Sequence, residues 1–222
     1  MFFMVKESDM PRIVCVRDGP LVLIKGKRKS PVPLLIDEEG NSLSDADEVA
    51  LCRCGRSKNM PFCDGTHAVS GYTDGKETDG KYDCRRNYAG KDITVHFNKS
   101  VCDHAGYCVC GLPSVFRKRE RPWVCPDCAS ADEIIAVIRK CPSGALSYSV
   151  DGIEHRDPEI NREPQVIVRK RRPYEVVGSV ELEVEEWAEE VSREHYTLCR
   201  CGKSKNKPFC DGTHRDSDFE GE

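Results

Sequence analysis

The chain has 222 residues, 38% of them hydrophobic and 32% charged, with a formal net charge of −4. That balance describes a water-facing protein of one or two domains. It argues against a general nucleic-acid binder, because the basic runs Arg117–Arg119 and Arg169–Arg172 are local loop charges. No stretch approaches eighteen consecutive apolar residues and Met1–Val5 is too short for a secretory core, so a cytoplasmic address without a membrane span is expected.

Fourteen cysteines are the outlying feature. In a reducing compartment, clustered cysteines near histidines point to metal rather than to a disulfide framework. In chain order, Arg12–Val16, the turn Asp18-Gly19-Pro20 and Leu21–Lys25 read as two strands of a hairpin. A cysteine motif follows, from Leu51 to His67. After a polar linker at 75–91, Ile93–Phe97 reads as a strand, and a cysteine-rich loop runs from Cys102 to Cys128. Ser130 and Glu133 form a capping-box pattern that opens a helix with apolar Ile134, Ile135, Val137 and Ile138. Asp132 and Glu133 suit its first turn, and Arg139 and Lys140 its last. Pro142 ends the helix, and Ala145–Val150 returns as a strand. A second linker, 155–164, leads to a second hairpin, Gln165–Val168 and Tyr174–Val177.

The motif then recurs. Leu51–His67 and Leu198–His214 differ only at residues 56/203 and 60/207, and an aromatic residue follows each histidine by five positions, Tyr72 and Phe219. Cys15 falls where the second copy has Val168 and reads as a small buried hydrophobe. Cys84 has no assigned role. His96, His155 and His195 lie outside the motifs and read as packing or surface residues.

Two residues apart in an extended segment, Cys52 and Cys54 point to one side and can chelate one metal. Cys63 and His67, four apart, share one face of a helical turn and can take a second. Asp64 is a candidate N-cap for that turn, with its N–H groups favouring an anionic centre. Pro61 and Gly65 fix the loop, and Ser57 is a candidate hydrogen-bond donor toward sulfur at the metal site. The same reading applies to Cys199, Cys201, Cys210 and His214. Three cysteines and a histidine are also a zinc set, although zinc sites usually space their ligands as paired Cys-x2–4-Cys units.

The pattern Cys-x-Cys-x2-Ser-x3-Pro-x-Cys-Asp-Gly-Thr-His resembles the CDGSH iron–sulfur family. The resemblance covers about seventeen residues in each copy. It implies two [2Fe–2S] clusters, with the leading cysteines on one iron and cysteine plus histidine on the other. Two copies in one chain resemble the tandem branch, in which one chain supplies the two sites that other members obtain by dimerising; a monomer is the matching expectation. Histidine in place of a fourth thiolate leaves the oxidised cluster one negative charge short of a four-thiolate site, which eases reduction. It also supplies a ligand that protonation can remove.

Residues 92–150 resemble the divergent mono-cluster ferredoxins. The resemblance rests on Cys102-Asp103-His104-Ala105-Gly106-Tyr107-Cys108, the stretch Pro113–Phe116, Trp123 and the closing Cys141-Pro142. Cys102, Cys108 and Cys141 hold the first, third and remote ligand positions, while Ala105 stands at the second. Three readings stay open: a [3Fe–4S] cluster, a [4Fe–4S] cluster with a substitute ligand (His104 being nearest in sequence), or an empty site. Cys108, Cys110, Cys125 and Cys128 offer a competing zinc or single-iron set.

The expected fold is α+β and β-rich. Two CDGSH units with their hairpins, 11–74 and 165–219, form a small pseudo-symmetric domain, and a ferredoxin-like α+β domain, 92–153, is inserted between them. No catalytic triad or nucleotide-binding loop is present, so the expectation is a non-enzymatic one-electron carrier. Its partner would be a redox protein, with no nucleic acid and no membrane involved. A labile cluster store that loads an apo-acceptor and a zinc-stapled binding module are the alternatives.

Overall fold

The computed structural model describes residues 10–27, 30–77, 84–157, 162–188 and 190–221. The first third supplies β1 (Arg12–Cys15), β2 (Leu21–Ile24), β3 (Leu35–Asp37) and β4 (Glu48–Leu51). The middle supplies β5 (Arg85–Ala89), β6 (Thr94–Asn98), α1 (Tyr107–Gly111), α2 (Ala131–Ile138), β7 (Leu146–Val150) and β8 (Ile153–His155). The last part adds β9 (Gln165–Val168), β10 (Tyr174–Val177), β11 (Glu181–Glu183) and β12 (Tyr196–Leu198). The protein is β-rich with few helices.

The two hairpins form with equivalent registers, Cys15 opposite Leu21 and Val168 opposite Tyr174. Each hairpin then takes its next antiparallel neighbour from its own half, β4 beside β2 and β12 beside β10. The fourth strand of each sheet comes from the other half. β11 runs parallel to β1 in the order β11-β1-β2-β4, and β3 runs parallel to β9 in the order β12-β10-β9-β3. The two repeats have therefore exchanged a strand, as two-fold partners do in an intertwined dimer.

Their apolar faces meet in one core. Ile13, Leu21, Leu35 and Leu51 from the first half pack with Val166, Tyr174, Leu198 and Phe209 from the second, all fully buried or nearly so. Burying each such side chain is worth roughly 1.5–3 kcal/mol. Neither half retains that burial without its partner.

The middle of the chain builds its own antiparallel sheet, β5-β6-β7-β8, with α2 packed against β7. Its separate core joins Val95, Phe116, Val124, Ile134 and Tyr148. α2 starts with the full capping box: the Ser130 hydroxyl accepts from the Glu133 N–H, and the Glu133 carboxylate accepts from the Ser130 N–H. Arg139 is its C-cap and Lys140 lies beyond, so the expected basic last turn sits just past the helix.

The polar segment 75–91, read from sequence as a linker, is more ordered than that. β5 arises within it because Tyr88 packs on the central core and Arg85 is held between Glu154 and Glu190. Residues 78–83 and 158–161 of the two linkers lie outside the described residues. The remaining histidines are structural. His96 bridges Asn87 and Ser149, His155 stacks on Tyr148, and His195 bonds Ser192 and Glu194.

Candidate metal centres

Each motif is a loop hung from the last strand of its sheet. In the first, the Cys52 N–H donates to Pro61 O at 2.8 Å and the Cys63 N–H donates to Ala50 O at 2.8 Å. These bonds lay the Cys63 arm beside the Cys52–Cys54 arm. The sulfurs of Cys52 and Cys54 come to 3.7 Å, and Cys63 Sγ lies 3.3 Å from His67 Nδ1. Two thiolates on one tetrahedral metal with bonds of about 2.3 Å sit about 3.8 Å apart, and a thiolate with an imidazole nitrogen slightly closer. The second motif repeats this, with 3.8 Å between Cys199 and Cys201 and 3.3 Å between Cys210 Sγ and His214 Nδ1.

The donors thus come in twos. Among the described residues, no three His, Cys, Asp or Glu side chains converge on one metal-ion position. Burial pushes the Cys54 thiol up to about 11 and raises Cys210 well above its ordinary range. Hydrogen bonding from Cys201 holds Cys199 down to about 7 while Cys201 itself is raised. Crowded buried thiols are costly to ionise alone, and a cationic metal removes that cost.

Two local expectations are corrected. Asp64 does not cap a helix. The segment Thr66–Ala68 is a single 3-10 turn whose N-cap is Gly65, in the left-handed region at φ 86°. Asp64 instead pins the loop, accepting from the N–H groups of Thr66 at 3.0 Å and Lys58 at 2.8 Å. Ser57 is also engaged elsewhere: its hydroxyl donates to Phe62 O at 2.7 Å, as Ser204 does to Phe209 O.

Arg53 and Arg200, between the paired cysteines in sequence, point away from them and are buried. Arg53 donates to Gly19 O at 3.0 Å, pairs with Asp74 at 2.8 Å and lies over the ring of Tyr72. Arg200 lies between the rings of Tyr174 and Phe219 and donates to Arg169 O. The aromatic residue five positions after each histidine therefore covers the arginine of its own motif.

In the middle unit, Cys102, Cys108 and Cys141 line one cavity with Asp103, Ala105 and Pro142. Burial raises all three thiols, and each is raised further by a neighbouring acidic group of the same site. His104 does not line this cavity. Its backbone has φ 56°, and its Nδ1 would lie 2.8 Å from a β-carbon placed on Gly212 of the second motif. The cavity also holds the buried side chain of Asp103, whose carboxyl burial pushes up to about 6. Cys125 and Cys128 are joined by a disulfide, so they do not complete a zinc set with Cys108 and Cys110. Cys15 is largely covered and packs on the shared core, and burial raises its thiol to about 11.

Each repeat thus brings together one cysteine pair and one cysteine–histidine pair. Residues 18–68 and 171–215 match the family described as "Iron-binding zinc finger CDGSH type". The chain carries two CDGSH segments. Between the CDGSH copies, residues 88–151 match the family described as "Divergent 4Fe-4S mono-cluster". The chain is similar to the "Uncharacterized protein YjdI" of Escherichia coli (strain K12), 43% identical over 70 residues, 32% of this chain and 88% of that protein. It is also similar to the "CDGSH iron-sulfur domain-containing protein 2 homolog" of Drosophila virilis, 44% identical over 43 residues, 19% of this chain and 29% of that protein. No solved structure matches. Among the described residues, no helix is long and apolar enough to cross a membrane.

The three cysteine sites adjoin one another. A β-carbon on Gly55 would lie 2.5 Å from Cys201 O, and one on Gly202 would lie 2.5 Å from Cys54 O, so the two CDGSH loops touch backbone to backbone. A β-carbon on Gly212 would lie 3.0 Å from Cys102 O, so the second CDGSH loop touches the middle site in turn. Neither junction was legible in the spacing of the cysteines. For the first, the signal available was the glycine following each Cys-x-Cys.

Proposed function

We propose that the chain is a one-electron carrier holding three clusters in series. Cys52, Cys54, Cys63 and His67 would hold one [2Fe–2S] cluster, and Cys199, Cys201, Cys210 and His214 a second. Cys102, Cys108 and Cys141 would hold a third, ferredoxin-type cluster within the middle unit. Such clusters supply reversible one-electron chemistry between ferric and ferrous iron.

The single observation that carries this reading is the contiguity of the sites. Gly55 and Gly202 let the two CDGSH loops meet backbone to backbone, and Gly212 brings the second loop against Cys102 O and the His104 ring of the middle unit. A storage or donor protein has no need of that order, whereas transfer over short distances does. The donors arriving in pairs favour two-iron centres over zinc, which takes its ligands around a single ion.

The protein's own residues do the positioning. The Tyr174 hydroxyl, on the second repeat, donates between the carbonyls of Cys52 and Pro61 at 2.8 and 2.9 Å, so it fixes the first site from across the interface. Asn206 reaches Ser100, seating the second motif on the middle unit. The physiological counterpart would be a redox protein, in an aqueous compartment such as the cytoplasm.

EPR-monitored titration, followed by incubation with an apo-acceptor, tests the proposal. A carrier shows reversible one-electron reduction at all three centres and keeps its clusters. Loading of the acceptor, with loss of iron from this chain, would instead establish a cluster donor.

A further inference from the structure

The two motifs share fifteen of their seventeen residues, yet their surroundings differ sharply. In the second, Cys210 is 2% exposed, Asp211 7% and His214 6%, and Asn206, Lys207 and Phe209 are buried with them. In the first, Cys63 and His67 are partly exposed, Asp64 and Asn59 are exposed, and Val69, two residues past the histidine, is 88% exposed.

The difference is traceable to one segment of the middle unit. Residues 100–104 lie across the second motif. Asn206 Nδ2 donates to Ser100 O at 3.3 Å and to Ser100 Oγ at 3.1 Å. Cys102 O and the His104 ring close over Gly212, and Arg215 donates to His104 O at 3.0 Å. Among the described residues, none covers the first motif in this way, and none beyond its chain neighbours lies within 4 Å of where a β-carbon on its matching glycine, Gly65, would stand.

We infer that the duplicated sites have divided labour. The first CDGSH site is the open port at which a soluble one-electron redox protein exchanges electrons with the chain. The second is a sealed relay between that port and the middle site. In the exchange the partner is oxidised by one electron while one ferric iron held by the first motif becomes ferrous; no covalent bond is made or broken and no proton moves. The inference rests on both motifs holding clusters, as proposed above.

Accessibility is the property to measure, on the intact, cluster-loaded protein under anaerobic conditions. A soluble ferrous-iron chelator is added with iodoacetamide, and alkylated cysteines are mapped by mass spectrometry over time. The substitutions at 56/203 and 60/207 make the two motifs' peptides distinguishable by mass. Cys63, partly exposed, should be labelled at least tenfold faster than its buried counterpart Cys210. Asn206→Ala, which unfastens the cover, should speed labelling of Cys210 and leave Cys63 unchanged. Equal rates for the two in the unaltered protein, or faster labelling of Cys210, would overturn the division of labour. Protein that carries no iron or acid-labile sulfide before the chelator is added would overturn the cluster assignment itself.

Discussion

Gly55 faces the carbonyl of Cys201 across the pseudo-two-fold, so close that a β-carbon on the glycine would lie 2.5 Å from the oxygen. Gly202 faces Cys54 O at the same distance, and both glycines hold left-handed φ values, 74° and 76°. Only glycine meets both demands at once. The junction therefore couples the two metal loops through main chain alone.

Gly55→Ala and Gly202→Ala should each disturb both CDGSH sites. Backbone strain and overpacking together put the cost at about 2–4 kcal/mol. Urea unfolding should show the loss of stability, and iron content should fall at both motifs. A variant that keeps its stability and both sets of iron would show the contact to be loose.

Tyr174→Phe tests the strand-exchanged architecture. The hydroxyl sits in the second repeat but serves carbonyls of the first motif. Leaving buried carbonyls short of a donor costs about 1–3 kcal/mol. Chelator-driven iron loss should quicken at Cys52, Cys54 and Cys63 while the nearer second motif is little changed.

Much of this was readable in the sequence, and the remainder had physical reasons to be hidden. The donor residues follow local rules: alternation brings Cys52 beside Cys54, and a tight turn brings His67 back to Cys63. The capping box of Ser130 and Glu133 is likewise local. Strand exchange is not, because β3 and β11 are three residues each and their partners lie more than a hundred residues away. β5 is hidden in the sequence because its exposed arginines and asparagine resemble a linker, while its pairing with β6 is tertiary. Asp64 carries the right residue type for an N-cap, but the turn after it is too short to be a helix. The arginines between the paired cysteines look like surface charges until the aromatic rings at Tyr72 and Phe219 are seen to cover them.

Exchanging the histidine ligands should shift the potentials. His67→Cys or His214→Cys adds a thiolate charge, which disfavours the reduced form. By comparison with the spread between Rieske and plant-type centres, the fall should be on the order of 100 mV at the altered site. EPR-monitored titration of each variant reads it, and unchanged potentials would separate histidine from control of the redox level.

For the middle site, Cys141→Ser should remove a cluster without affecting either CDGSH motif. An oxidised three-iron cluster has an odd electron count and gives an EPR signal, so its disappearance in this variant would fix the cluster type. His104→Ala should leave that signal intact, since the ring lies against Gly212 and not in the three-cysteine cavity. Loss of the signal on that substitution would return His104 to the ligand set, and Asp103→Ala tests the side chain that does line the cavity.

Iron, acid-labile sulfide and zinc, measured on anaerobically purified protein beside the double variant Cys63→Ser/Cys210→Ser, test the account most directly. The account predicts two irons and two sulfides per motif, with a further three or four irons in the middle unit. The double variant should lose the four irons of the motifs and keep the rest. Zinc in stoichiometric amount, with no acid-labile sulfide lost on removing Cys63 and Cys210, would contradict it.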